Sequence, residues 1–235
     1  MSRTNREIVQ ALRGVLAERG VISDSSDLSN RLVLYYANKS RSAVLKSKIE
    51  DKRSRVSHFN KQTIPCIPME KIDINECPCA PPSGCFFYRS VIPIPNPLTR
   101  YLEVDNIIGN KNIAFLEWGE FRNKLNSRMN AERTDPYWTI RTMNGKTYLY
   151  LYNYPEKFVT VTSVWEDPLE VQLYPDCAGN VDPCKQYLDL EFIIDDAFVP
   201  LVIEASYRML VERVKEGDST INQKDDTTKQ IVPAK

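Results

Sequence analysis

Apolar residues recur at helical spacing near the end of the chain, between Asp195 and Val214. They form two adjacent stripes that predict a wide buried band: Phe198, Val202, Ala205 and Met209, and Val199, Ile203, Leu210 and Val214. Asp195 and Asp196 suit the positive end of a helix dipole, and Pro200 is tolerated because it falls in the first turn. Gly217 predicts the end of this helix.

Two more helices are predicted near the start of the chain. The first spans Asn5–Arg19 and opens with a capping box formed by Thr4 and Glu7. Ser26 is predicted to cap a second helix that continues to about Asp51, with an apolar face that holds Leu28, Leu32, Tyr35 and Tyr36. Because the last helix needs apolar partners, we expect the two ends of the chain to form one helical module.

The middle of the chain predicts strands. Many prolines between Lys61 and Pro97 forbid a helix there. Alternating or apolar runs predict strands at Cys85–Ile92, Asn106–Trp118 with a turn at Gly109–Asn110, Tyr137–Thr142, Lys146–Tyr152 and Phe158–Trp165. Asn144 and Gly145 favour a hairpin between the third and fourth of these. The fourth has a leucine face and a tyrosine face, which carries Tyr148, Tyr150 and Tyr152.

These elements predict an α+β protein with a helical module, a β-rich middle domain and an extended C-terminal tail. The expected divisions are N-terminal helices in residues 1–56, a β-rich domain with a Pro/Cys-rich loop in 57–190, a C-terminal core helix in 191–216 and a tail in 217–235. The tail carries Ile221, Ile231 and Val232 among polar residues. It cannot bury enough apolar surface to fold alone, so it is either disordered or ordered on a partner.

Charge and composition exclude several classes of protein. The 235 residues are 42% hydrophobic and have zero net charge, so no global field draws the chain to DNA or membranes. Neither an apolar run of membrane-spanning length nor a secretory signal is expected. One local basic stretch lies between Asn38 and Val56, and it contains Lys39, Arg41, Lys46, Lys48, Lys52, Arg53 and Arg55. It is either a surface near phosphates or a solvated helix end, and the second interpretation is favoured.

Candidate chemistry is limited. Four thiols could form a tetrahedral zinc site, namely Cys66, Cys77, Cys79 and Cys85. Their spacing differs from the common zinc knuckle, so reduced structural thiols are favoured over zinc, and also over a disulfide between Cys177 and Cys184. With His58 as the single histidine and no phosphate-binding or nucleophile motif, no enzyme and no cofactor are predicted. A zinc-stabilised nucleic-acid-binding module and a carbohydrate-binding tyrosine face remain as alternatives.

The order of these parts resembles the head-to-tail connector (adaptor) proteins of short-tailed bacteriophages. These are the tail tubular protein A-like family and the portal-proximal ring proteins of crAss-like phages. Four segments carry the resemblance: REIVQALRG, SSDLSNRLVLYYANKS, SVWEDPLEV and DDAFVPLVIEASYRMLVERV. A step from Val164 to Pro168 and an acidic-aromatic-Pro opening from Asp196 to Pro200 are similar to patterns of this family. The cysteine-rich segment from Cys66 to Cys85 fits the crAss-like group better than simple adaptors.

The resemblance implies a structural virion protein rather than an enzyme. It implies a twelvefold homo-oligomeric ring at the head–tail interface, assembled in the cytoplasm of the bacterial host, with the portal protein on one side and the next tail or ring protein on the other. The tail would bind the portal, with Ile221, Ile231, Val232 and Pro233 as anchors. The basic stretch would face the portal or the translocating DNA, which is contacted without sequence specificity, and no membrane partner is implied.

Overall fold

A computed structural model describes residues 3–21, 28–50, 57–72, 87–109, 112–117, 119–120, 136–154, 156–172, 174–177, 179 and 186–228, with side chains up to Val214 in the last helix. The chain divides into two compact units. The helical unit comprises residues 1–55 and 185–235, and the barrel unit comprises residues 56–184. Helices from both chain ends and a β-rich middle confirm the α+β class.

The α-helices are α1 (Asn5–Glu18), α2 (Asn30–Glu50), α3 (Pro168–Gln172) and α4 (Val199–Thr228). The strands are β1 (Gln62–Lys71), β2 (Phe87–Ser90), β3 (Pro97–Asn106), β4 (Asn112–Phe115), β5 (Tyr137–Met143), β6 (Lys146–Tyr152) and β7 (Phe158–Trp165). Short 3-10 turns occur at His58–Asn60 and Asp196–Phe198. Within the described part of the chain, every helix is too short or too polar to cross a membrane.

Helix α1 forms as its capping residues predict. The Thr4 hydroxyl accepts a hydrogen bond from the Glu7 amide at 3.3 Å, and the Glu7 carboxylate accepts one from the Thr4 amide at 3.0 Å. The apolar stripe of α1 is buried, and its fully covered members are Ile8, Leu12 and Leu16. Gly20 follows the helix with a φ of +66°, which a residue with a side chain adopts only at a cost.

Helix α2 differs from its prediction in both its start and its buried face. The Ser29 hydroxyl accepts from the Leu32 amide at 3.2 Å and caps the helix, whereas the predicted cap Ser26 lies outside the described residues. The predicted apolar face is wrong, because Leu32 is 37% exposed and Tyr35 is 58% exposed. The buried face instead carries Val33, Leu34, Ala37, Asn38, Ser40, Arg41 and Leu45.

Helix α4 buries part of the band that its sequence predicts, and the rest of the band is half-buried. The Asp195 carboxylate caps the preceding 3-10 turn by accepting from the Ala197 amide at 3.1 Å. Val199, Val202 and Leu210 are buried, and the Ser206 hydroxyl between them donates to the Val202 carbonyl at 2.6 Å. The end predicted at Gly217 is wrong, since the helical backbone continues to Thr228. The extended conformation predicted for 217–235 is therefore replaced by helix over most of its length.

The seven strands of the barrel unit close into one sheet in the order β1-β2-β6-β5-β4-β3-β7, with β7 paired back to β1. All neighbouring pairs are antiparallel except β4 with β5. The interior is an apolar cluster whose fully covered members include Ile64, Ile67, Val104, Leu149, Leu151, Val159, Val161 and Trp165. Trp165 satisfies its indole N–H by donating to the Gln62 carbonyl at 2.9 Å.

The hairpin of β5 and β6 confirms its prediction. Tyr137 pairs with Tyr152, and the register continues without interruption to Met143 opposite Lys146. Asn144 and Gly145 have φ values of +52° and +75°, the left-handed pair that a two-residue hairpin turn with the favoured twist requires. The observed bounds of β6 and β7 agree with the predicted segments.

Strand β1 lies in a segment that the sequence predicts only as non-helical. Pro65 and Pro68 lack backbone N–H groups and argue against a paired strand. The structure accommodates them with a bulge, because the pairing of β1 with β7 shifts register between Ile64 and Ile67. At this bulge Cys66 has a φ of +62°, a left-handed conformation that is uncommon for a residue with a side chain.

Candidate assembly surfaces and their chemistry

Arg41 does not belong to a basic surface, which corrects the prediction that it faces DNA or the portal. Its side chain is fully buried in the helical unit. The guanidinium Nε donates to the backbone carbonyl of Ile193, just before α4. A buried guanidinium is retained only where hydrogen bonds replace water, so Arg41 ties α2 to the chain leading into α4.

Three further members of the predicted basic stretch are exposed on α2, and all are lysines: Lys39, Lys46 and Lys48. Lys39 and Lys46 are seven residues apart and therefore share one face of the helix. The remaining members of the predicted set, Lys52, Arg53 and Arg55, lie outside the described residues.

The exposed apolar residues of α2 continue this lysine face. Leu32, Tyr35, Lys39, Ala43 and Lys46 follow each other at intervals of three or four residues, and all are exposed. We call this set the outer strip of α2. The Tyr35 ring meets the Tyr36 ring edge-on, with centroids 5.4 Å apart, which holds Tyr35 in a defined position on the surface. The strip is thus apolar at its N-terminal end and basic towards its C-terminal end.

A second surface of the helical unit lies on the chain that leads into α4. Its exposed acids stand between two exposed apolar residues, the second of which lies in the first turn of α4, and we call Tyr187, Asp189, Glu191, Asp196 and Leu201 the acidic segment. Backbone bonds fix it to the start of α1, since the Asn5 amide donates to the Leu190 carbonyl at 2.9 Å. Arg6 pairs with Asp189 at 2.6 Å and Arg3 with Asp196 at 3.4 Å.

Cys66 and Cys177 form a disulfide with Cα atoms 5.0 Å apart, which corrects the expectation of reduced thiols. The bond joins the β1 bulge to the chain that follows α3, within the barrel unit. It removes Cys66 from the proposed zinc set, whose other members, Cys77, Cys79 and Cys85, lie outside the described residues. Among the residues that the structure describes, no group of three or more potential metal ligands comes together.

The tyrosine face of β6 is largely a packing surface, which argues against the carbohydrate-binding alternative. Tyr150 is 1% exposed and forms a small apolar cluster with Ile72 and Leu116. Arg89 lies 5.6 Å from the centre of the Tyr148 ring and binds Glu70 at 2.6 Å. The hydrogen bond that Arg89 donates to the Glu70 carboxylate raises the pKa of Arg89 despite the opposing effect of burial. A sugar would find few free ring faces here.

Acidic and phenolic groups with shifted pKa values are dispersed over the barrel unit. Burial raises the pKa of Glu170, and the neighbouring carboxylates of Asp167 and Glu166 add to the effect. Burial also raises the pKa of Tyr174 to about 12. The pKa of Asp105 is raised mainly by burial and further by the neighbouring carboxylate of Glu103. The causes are mainly desolvation, which is typical of partly covered residues in a structural sheet.

Of the four residues predicted to anchor the tail, the structure describes only the backbone of Ile221. The backbone of Ile221 belongs to α4. Its side chain, together with Ile231, Val232 and Pro233, lies outside the described residues.

The sequence model of one protein family, described as phage tail ring protein 2 of crAss-like phages, matches residues 10–227. The match covers both units and most of the chain. The chain belongs to the phage tail ring protein 2 family. It is therefore a structural ring component of the virion, and the resemblance to crAss-like ring proteins is confirmed at this level. Among curated proteins, none matches the sequence.

Sequence reasoning missed the outer strip as a surface because it assigned Leu32 and Tyr35 to the core. The spacing of Val33, Ala37 and Leu45 indicates the face of α2 that is buried, because all three lie on one side of the helix. Arg41 lies on the same side and, as a charged residue, obscured this pattern. The acidic segment was interpreted only as a helix start. The stretch from 186 to 198, which holds four acidic residues and no basic one, could have been noted as a surface feature.

Proposed function

We propose that this tail ring protein is a head-to-tail adaptor subunit. Twelve copies form a ring that docks beneath the portal, joins the capsid to the next tail or ring protein, and contributes part of the channel for DNA. The role is structural rather than catalytic. Membership of the phage tail ring family supports this proposal. A ring placed at the head–tail junction would contact a portal, a distal tail protein and passing DNA.

The C-terminal part of α4 supports a portal contact. From Val214 to Thr228 the helix extends for about 21 Å at the usual rise per residue. Within 215–228 the sequence offers Ile221 as the single large apolar side chain. A helix so poor in apolar residues is marginal in water without a partner. We therefore propose that this arm and the terminal Ile231, Val232 and Pro233 bind the portal, with ordering on the partner.

The positive charge at the end of α2 is compatible with a channel that contacts DNA without sequence specificity. Lys48, with the neighbouring Lys52, Arg53 and Arg55, gives the end of α2 a positive charge. Such a charge attracts phosphates without reading bases, and the attraction weakens steeply as salt rises. This is the behaviour required of a channel through which the whole genome must slide.

Co-sedimentation with an assembled portal ring from the same genome tests the proposal. Full-length protein is compared with a chain that ends at Glu216 and with a full-length variant carrying Ile231→Asp and Val232→Asp. We expect the full-length protein to bind and both altered forms to lose binding, because both remove the apolar anchors. A double variant Ile107→Asp/Ile108→Asp makes the same chemical change at an exposed turn of the barrel unit and serves as the control.

The outcomes separate the parts of the proposal. Binding by the full-length protein and the Ile107/Ile108 control alone would support a portal adaptor with its contact in the C-terminal arm. Equal binding by the chain ending at Glu216 would refute the role of the arm. If the full-length protein does not bind at concentrations where it forms rings, docking on the portal is refuted. The protein would then form a ring elsewhere in the tail.

A further inference from the structure

We infer that neighbouring copies of this chain contact each other by packing the outer strip of α2 on one subunit against the acidic segment on the next. This inference rests on the proposed ring and names the surfaces that close it. It concerns the helical unit alone, and the occupant of each surface is a second copy of the same chain.

A closed ring of identical subunits needs two different surfaces on each subunit, because every contact is head-to-tail. The outer strip and the acidic segment satisfy this requirement. The strip lies on the face of α2 opposite the buried Val33, Ala37 and Arg41, and so faces away from the core of the helical unit. The acidic segment is held at the start of α1 by the bridge between Thr4 and Glu191. They are separate surfaces on separate elements.

The two surfaces carry opposite charge. Between residues 30 and 49 the exposed charged residues are all basic, namely Arg31, Lys39, Lys46 and Lys48. Between residues 186 and 198 all four charged residues are acidic, namely Asp189, Glu191, Asp195 and Asp196. Arg6 and Arg3 pair with Asp189 and Asp196, so the four acids and these two arginines together keep a net charge of −2. Facing each other, the surfaces attract and fix a unique orientation.

The apolar residues distinguish a protein partner from DNA. Leu32 and Tyr35 are continuous with the lysines of the strip, and a contact with DNA phosphates would leave them in water. The acidic segment offers matching apolar area, with Tyr187 at 38% and Leu201 at 47% exposure. Protein interfaces bury apolar area together with polar groups, and tyrosine is enriched in them.

Charge reversal with rescue tests the contact. One variant carries Lys39→Glu and Lys46→Glu, and the other carries Glu191→Lys and Asp196→Lys. Native mass spectrometry and sedimentation velocity report the oligomers of the purified full chains. Each variant alone presents like charges across the contact, so we expect association to weaken at least tenfold. A one-to-one mixture pairs each reversed surface with its complement and should restore rings of alternating subunits.

The control variant Lys146→Glu/Lys157→Glu makes the same change in charge on exposed lysines of the barrel unit and should assemble normally. If each reversed variant forms rings by itself, the proposed contact is wrong, while the proposed ring still stands. Normal rings with weakened DNA affinity in the lysine variant would assign the strip to DNA instead. A wild-type chain that stays monomeric at every concentration, alone and with the portal, would overturn both the ring and this contact.

Discussion

Removal of the disulfide between Cys66 and Cys177 should destabilise the barrel unit strongly. The bond closes a loop across a sequence separation of 111 residues. Restriction of the unfolded chain by a loop of about 100 residues is worth about 4.7 kcal/mol in the chain-entropy model. Residual structure in the unfolded chain lowers this figure. We therefore expect Cys66→Ser/Cys177→Ser to lose about 3–4 kcal/mol of unfolding free energy.

Tryptophan fluorescence during urea unfolding measures this loss in the right place, because all three tryptophans belong to the barrel unit. With a slope of about 2 kcal/mol per molar urea, a loss of 3–4 kcal/mol lowers the midpoint by about 1.5–2 M. Reductant should lower the midpoint of the wild type by the same amount and leave the double variant unchanged. Peptide mapping without reductant verifies the pairing in the wild type.

Two results would contradict the reasoning. A midpoint shift below about 0.5 M would mean that the bond constrains little of the unfolded chain. A double variant that still responds to reductant would mean that another cysteine pair supports the barrel.

Three further predictions concern single residues. Arg41→Ala should destabilise the helical unit by about 3 kcal/mol, because the Ile193 carbonyl loses its donor and a buried site is left empty. Thermal unfolding followed by circular dichroism at 222 nm measures this loss, and an unchanged melting temperature would refute it. Gly145→Ala should cost about 1–2 kcal/mol in urea unfolding, because a φ of +75° is strained for alanine, and Gly14→Ala, in α1, provides a control without that strain. Glu170→Gln should be more stable than the wild type at pH 7. Partial desolvation and the carboxylates of Asp167 and Glu166 raise the pKa of Glu170, although the residue is exposed at the surface. The wild type therefore gains stability as pH falls through that pKa, and the difference should vanish in acid. A difference independent of pH would exclude this cause.

Local chemistry made some elements predictable. The capping box at Thr4 and Glu7 and the Asn144-Gly145 turn each require no distant partner, since their hydrogen bonds and dihedral angles are set within a few residues. Alternation along β6 and β7 predicted their bounds, because the apolar face of each strand packs in the interior of the barrel.

Long-range contacts decided the elements that were mispredicted. Arg41 is buried with a hydrogen bond from its Nε to the Ile193 carbonyl, far away in the chain, and it lies on a buried face of α2 that excludes Leu32 and Tyr35. Strand β1 tolerates its prolines only because β7 accommodates a bulge. The pairing of Cys66 with Cys177 also depends on tertiary folding and cannot be deduced from spacing. The burial of Arg41 also explains why the outer strip was assigned to the core, since a charged residue on the face of Val33, Ala37 and Leu45 argued against that face.

The division of the chain, with the barrel unit contiguous and the helical unit split between both ends, has a consequence for biosynthesis. The barrel can fold as soon as residue 184 leaves the ribosome. The buried faces of α1 and α2 must wait for Leu210, about 160 residues after α2, which takes roughly 10–30 s at ordinary bacterial translation speed. During this interval α2 lacks the part of its native packing that α4 supplies. Premature self-association and chaperone binding are therefore most expected on nascent chains at the N-terminal helices, and ring assembly can begin only after the last helix has been made.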